Sequence, residues 1–520
     1  MSSRSRQILA IVAVAILFLT AASAVVDSSS GSGGSVYAAP REGTRTIATD
    51  DPATQPESIA VSRELFQSSR AAIVVASGGP TAADWPLIRA TAATNHLPVF
   101  EVTPQNRPAI EDELRRLGVQ TAYLAANPTE LDGVEAVPLP TPLSPVPPRT
   151  ESARSDRSDS ADPAGPRGVA LAQSNPAPTS STPIVYVAPS TAPDAAATAA
   201  AAGARIVDVP IPDPRATGES VRVLRDNDGR SPVLAIGRDF GDDAALRNRA
   251  EAATTTPELV GGGQIAFPGR RMIALYGSPG VPALGPLGRQ NLPATIDRAK
   301  RLAAEYRPVS RAPVIPAFEI IVTVASAAPG PDNQYSSIID PAEIRPWVDA
   351  AERAGVYITL DLQPGRTDFL TQAKLYTDLL RRPNVGLALD PEWRLKPNQV
   401  HLTQIGSVSA DEVNATSDWL ARLVRDNNLP QKVFILHEFD ANMLADRNRI
   451  NTAHPELATV IHADGHGTPP VKMQTWRRIT TDLPPRVFMG WKNFYTEDKP
   501  TFSPARTMAV KPTPWFISYQ

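Results

Sequence analysis

Cysteine is absent from the 520 residues. That excludes a disulfide framework, a catalytic thiol, thiolate metal sites and a lipid-modified N-terminal cysteine. An excess of one charge is also missing. The 51 basic and 54 acidic residues leave a net charge of −3, so the chain carries no electrostatic footprint for nucleic acid. No glycine-rich phosphate fingerprint follows the first strand-like run of the C-terminal region, which removes the usual marker of a nucleotide-binding doubly wound sheet. Proline, by contrast, is abundant at 53 residues, as expected of long unstructured connections.

The N-terminus places Arg4 and Arg6 before an apolar stretch from Ile8 to Val26, and Ala22-Ser23-Ala24 fits a small-x-small cleavage site. The stretch is also long enough to span a bilayer. Residues 1–26 are therefore expected to be a signal peptide or a membrane anchor, and the chain's only contact with a membrane. Either role places the remainder outside the cytoplasm, secreted or anchored at the cell envelope. Residues 27–57 read as a Ser/Gly/Pro/Thr spacer. Residues 137–182, rich in Pro and Ser, cannot bury a core and read as a disordered linker.

Between these segments, residues 58–136 show α/β texture. "AAIVVASGG" (71–79), "LPVFEVTP" (97–104) and "QTAYLAA" (120–126) read as strands, and "AIEDELRRLG" (109–118) as a helix closed by glycine. This order resembles the cell wall-binding repeat 2 modules of Gram-positive surface proteins. The matching positions are Leu65, Phe66, Ala76, Ser77, Gly78, Asp84, Pro98, Thr103, Pro104, Leu114, Leu117 and Gly118. The resemblance covers about 70 residues and implies attachment to wall polymer. Residues 183–262 repeat the α/β theme as a second module, with strands at 183–190, 204–212 and 231–240 and an alanine-rich helix at 191–204.

From residue 265 to 520 eight strand-like runs alternate for the most part with helical stretches. They lie at 272–277, 318–324, 356–363, 385–390, 433–440, 458–464, 487–493 and 515–520. Strands alternating with helices mean a parallel sheet, and eight in about 250 residues match a (β/α)8 TIM-like barrel. The alternative is an open doubly wound sheet. The expected architecture is thus α/β, with the barrel preceded by one or two small α/β modules and a disordered linker.

Barrel enzymes hold their chemistry at the C-terminal strand ends. Strand three has an aliphatic face, Val356, Ile358, Leu360 and Leu362, so Tyr357, Thr359, Asp361 and Gln363 should point inward. Strand four, "GLALDPEW", should carry Asp390 and Glu392 inward, with Trp393 beside them. Strand five offers either His437 or the Glu438/Asp440 pair, and alternation does not choose. Strand six offers His462, Asp464 and His466. Strands one, seven and eight end in Tyr276, Trp491-Lys492 and Ser518-Tyr519. Each has an ordinary reading. Asp361 could brace a loop, Glu392 could pair with Arg394, and the tryptophans could be packing. Their convergence on one mouth favours a site, because buried carboxylates are rare unless paired or functional.

The "LDPEW" ending resembles the D-x-E terminus of the fourth strand in chitinase-type hydrolases. That resemblance implies Glu392 as general acid and Asp390 as its helper. The two earlier acidic positions of that signature are Val385 and Ala388 here. In a two-carboxylate mechanism Asp361, Glu438 or Asp464 could be the partner. The whole arrangement is similar to the glycoside hydrolase-like barrels of actinobacterial surface proteins, which implies an envelope location. The expected partner is a cell-wall polysaccharide or peptidoglycan. No cofactor is expected. Substrate contacts are expected from Tyr276, Gln363, Trp393, His437, Glu438, His462, Asp464, Trp491, Lys492 and Tyr519. Two other readings stand beside glycoside hydrolysis: a metal-dependent hydrolase using His462, Asp464 and His466, and a barrel that binds glycan without catalysis.

Overall fold

The computed structural model describes residues 35–38, 40–76, 78–125, 131–139 and 182–520. The expected signal or anchor segment (1–26), nearly all of the expected linker (137–182) and Ser77 lie outside them. Among the described residues no helix is long and apolar enough to cross a membrane. The chain divides into two compact units, one ending at Pro214 and including Asp226–Ala250, the other formed by Arg215–Arg225 and Glu251–Gln520.

The first unit holds two four-stranded parallel sheets. One runs in the order Val99–Val102, Ala71–Ala76, Thr121–Ala125, Glu135–Pro138. The other runs Thr44–Ile47, Val233–Ile236, Ile184–Val187, Arg205–Asp208. The expected spacer at 27–57 is corrected here, since Thr44–Ile47 is an edge strand of the second sheet. It pairs with Val233–Ile236, almost 190 residues along the chain, and pairing that distant leaves no local pattern to read. The alanine-rich helix Pro193–Ala201 shares one apolar core with both sheets. Its Thr198 hydroxyl donates to the Val99 carbonyl at 2.7 Å, as small side chains allow close approach.

The second unit is a closed barrel of eight parallel strands. They are β1 (Arg271–Gly277), β2 (Val314–Ala325), β3 (Tyr357–Leu362), β4 (Val385–Leu389), β5 (Lys432–Glu438), β6 (Leu457–Ala463), β7 (Phe488–Asn493) and β8 (Phe516–Tyr519). β1 closes the ring by pairing with both β8 and β2. A short strand, Ser336–Ile338, adds antiparallel to the end of β2. Each strand buries both faces, and alternation sorts them. Phe318, Ile320, Val322, Ile358, Leu360 and Leu387 belong to the outer core against the helices. Met272, Ala317, Tyr357, Ala388, Val433 and Phe516 fill the barrel floor.

Helices cover the outside because their termini are set locally. Asn291, Asp340 and Ser409 accept hydrogen bonds from first-turn backbone N–H groups, and Gly355 closes its helix at φ 72°. β5 and β6 are joined without an α-helix, through the short 3-10 turn Arg447–Arg449.

Gly386 of β4 marks the tightest point of the floor. A Cβ there would run into the Val433 carbonyl oxygen and lie 3.0 Å from the Tyr357 hydroxyl, which itself accepts from the Val433 N–H at 3.1 Å. Gly386→Ala should therefore destabilise by about 1–3 kcal/mol, as overpacking does. The change is read as a lower denaturant midpoint at unchanged m-value.

Candidate active site

The upper barrel is polar where the floor is apolar. β2 contributes Glu319, β3 Asp361, β5 His437, β6 His462 and β7 Lys492, all at most 2% exposed. Register aligns them: Tyr276 lies opposite Glu319, His437 opposite His462, and His462 opposite Gly490. Glycine at 490 is required by that row, because a Cβ would strike the His462 ring.

His437 is the centre of the network. Its Nε2–H donates to Glu319 Oε1 at 2.9 Å and its Nδ1–H to Asp464 Oδ2 at 3.0 Å. The His462 Nδ1 lies 3.2 Å from the same Nδ1, and the His462 Nε2 meets the Ser518 hydroxyl at 3.2 Å. Burial works against charge on His437, yet the Glu319 charge and the bonds to Asp464 and Glu319 hold it well above the usual imidazole range. Burial, then the charges of His437 and Lys492, press His462 down to about 3. One imidazolium thus bridges two carboxylates beside a neutral imidazole. Glu319 falls to about 2, with His437 overcoming its burial, and Asp464 is lowered by its His437 bond.

Asp361 accepts from the Tyr276 hydroxyl at 2.8 Å, and Gln363 donates to that hydroxyl at 3.3 Å. Burial, then the Glu319 charge, lifts Asp361 to about 6. The Lys492 ammonium stands 3.4 Å from the Tyr276 ring centroid.

Above this network lies a cavity of about 380 Å³, lined by Asp390, Glu392, Asp464, Trp393, Lys492 and Gln363 among others. Strand four does not carry both acids on one extended face, as alternation suggested. It ends at Leu389, and Pro391 turns the chain into a 3-10 turn, Pro391–Trp393. Proline has no N–H for the ladder and restricts the residue before it. The turn still leaves both acids on the cavity wall. Arg394 does not pair with Glu392; its guanidinium is taken by Glu412 at 2.9 Å. Burial, then the Asp464 charge, raises Glu392 to about 7. Burial raises Asp390 well above the carboxylate range, reinforced by Asp361, Glu392 and Asp464.

Five expected contact residues do not line the cavity: His437 and His462 are fully buried beneath it, and Trp491, Tyr519 and Glu438 lie behind the mouth. Trp491 points outward, with its ring 5.3 Å from Trp476 and 5.2 Å from Phe502. Tyr519 points outward too, its hydroxyl 2.7 Å from that of Tyr306. Both follow from alternation, since Lys492 and Ser518 take the inward positions beside them. Glu438 also leaves the mouth to His437. Its two oxygens accept from Arg447 Nη1 at 3.0 and 2.9 Å. Arg447→Ala, which strands that buried carboxyl, should cost roughly 3–5 kcal/mol, measurable by equilibrium denaturation.

The metal expectation also changes membership. His466 is exposed at the rim against Phe494, away from the buried histidines. The set that could hold a metal is Glu319, His437 and His462, with one ligand atom from each within 4.8 Å of the others. With both nitrogens of His437 bonded to carboxylates, that set reads first as a hydrogen-bonded network. Glu319 is the member the sequence reading missed.

Fold and site together define a TIM-like (β/α)8 barrel with an acidic, histidine-centred mouth. No protein-family profile matches the chain, and no curated protein does. Among solved structures it is similar to "Cwp6 from Clostridium difficile", with a TM-score of 0.26 and 10% identity over 62% of this chain. The match spans 63% of that protein's length, less than two thirds of it. At that TM-score the likeness carries no argument about fold or function.

Proposed function

We propose that this is an exported cell-envelope protein whose barrel hydrolyses a glycosidic bond in a wall polysaccharide or peptidoglycan. The observation that carries the reading is a pair of carboxyl groups on one cavity with opposed environments. Glu392 is raised to about 7, so that a large share of it is protonated near neutral pH, while Asp464 is lowered by His437 and stays ionised. Environments that push two carboxyls apart assign acid and base roles. Glu392 donates its proton to the glycosidic oxygen as the bond to the anomeric carbon breaks. Asp464 carries the negative charge that faces the developing oxocarbenium ion, and a water then adds to the anomeric carbon and gives up a proton, which leaves the two carboxyls as they began. His437 and Glu319 are positioning residues that hold Asp464 in that state, and Asp390 is the helper that orients the sugar.

The test is release of reducing ends from isolated wall glycan by the full chain, with and without a chelator. Turnover indifferent to chelation supports the reading. Turnover lost on chelation and restored by a divalent metal would replace it with the metal reading at Glu319, His437 and His462. Binding with no turnover in any condition would leave a glycan-binding barrel.

A further inference from the structure

The cavity has more acceptors than donors. Asp390 Oδ1 and Asp464 Oδ1 are buried without a hydrogen-bond partner, as are Glu319 Oε2 and Asp361 Oδ1 just beneath. The Asp390 carboxyl differs from the others. Among the described residues nothing donates to it, although the residue is only 2% exposed and lines the cavity. Asp464, in contrast, already has His437.

Two cationic side chains, Arg478 and Lys492, line the space. Arg478 is engaged at the rim, donating to the Phe439 carbonyl at 2.6 Å and lying 3.7 Å from Asp440. Lys492 sits over Tyr276 and near Phe494, with no ion pair within 4 Å among the described residues. With His437 held between Glu319 and Asp464, Lys492 is the cation left to face Asp361, Asp390 and Glu392, and burial with the neighbouring carboxyls works against charge on Asp390. Buried acceptors of this kind are costly unless water or a ligand supplies donors. A hydroxyl supplies one hydrogen, whereas a protonated amine supplies three and the missing charge. The wall beside Asp390 is Trp393, an aromatic that tolerates a cation. An acetamide at the same place would bring a single N–H donor and no charge, with a carbonyl acceptor and a methyl set against the acids.

We infer that the cavity selects a sugar bearing a free, protonated amino group, with Asp390 as the residue that receives the ammonium. The inference deepens the glycosidase reading and rests on it for the choice of a saccharide.

The experiment is calorimetric titration of the full chain carrying Glu392→Gln, so that binding is read without turnover. The probes are a glucosamine tetrasaccharide and its fully N-acetylated counterpart. The free-amine form should bind about tenfold more tightly or better, and added salt should narrow the difference. In Asp390→Asn, an isosteric change at a carboxyl with no partner to lose, the preference should shrink to about twofold or less. Equal or tighter binding of the acetylated probe, no binding of either, or a preference that survives Asp390→Asn would overturn the inference. None of those outcomes touches the glycosidase reading, which stands or falls on turnover of wall glycan by the unaltered chain.

Discussion

Glu392→Gln should lower kcat by roughly 10²–10⁴-fold, the range for losing a general acid, and should abolish the alkaline fall in rate. The sign follows from the site. A donor must hold its proton, so the rate declines as pH rises through about 7, where Glu392 ionises. Burial and the Asp464 charge push that point up, while Lys492 and His437 pull it down. Amide in place of carboxyl keeps the shape and removes the proton, so KM should change far less than kcat. Equal losses in a variant that no longer folds are excluded by comparing denaturation midpoints.

Asp464→Asn is expected to have the second large effect, roughly 10²–10³-fold in kcat, as for other preorganised charges that face a transition state. Its acid limb carries a further prediction. With His437 donating, Asp464 is held below the ordinary carboxylate range, so the unaltered enzyme should keep its activity on the acid side until the pH falls below that range. His437→Gln removes the imidazolium, lets burial raise Asp464, and should move the acid limb upward. A purely structural role for His437 would lower activity without moving the limb.

The barrel was legible because its strands alternate cleanly. "VYITLDLQ" sorts into aliphatic and polar faces by eye, and the observed β3 keeps that sorting. Faces became ambiguous where both held apolar or polar groups. In "VFMGWKN" the phase is set by Gly490, whose missing side chain admits His462, a contact between strands that no local pattern announces. In "VFILHEFD" the phase is set by Arg447, which draws Glu438 outward. Glu319 was the clearest signal left unused: a lone carboxylate inside the apolar run "VIPAFEIIVTVA", on the phase shared with Ala317 and Ile321. Thr44–Ile47 was beyond reach, because only its distant partner makes it a strand. The "DPEW" turn shows a local rule outranking another, with Pro391 ending the alternation that had placed Asp390 and Glu392 on one face.

The central claim is that burial, reinforced by the Asp464 charge, raises Glu392 to about 7 and so makes its proton available near neutral pH. A carbon-13 titration of the chain labelled at glutamate side-chain carboxyls addresses it, with the Glu392 resonance identified as the one lost in Glu392→Gln. The account predicts that this resonance titrates near 7 and moves downward in Asp464→Asn. Titration near the ordinary 4.5, or near 7 with no response to Asp464→Asn, would contradict it.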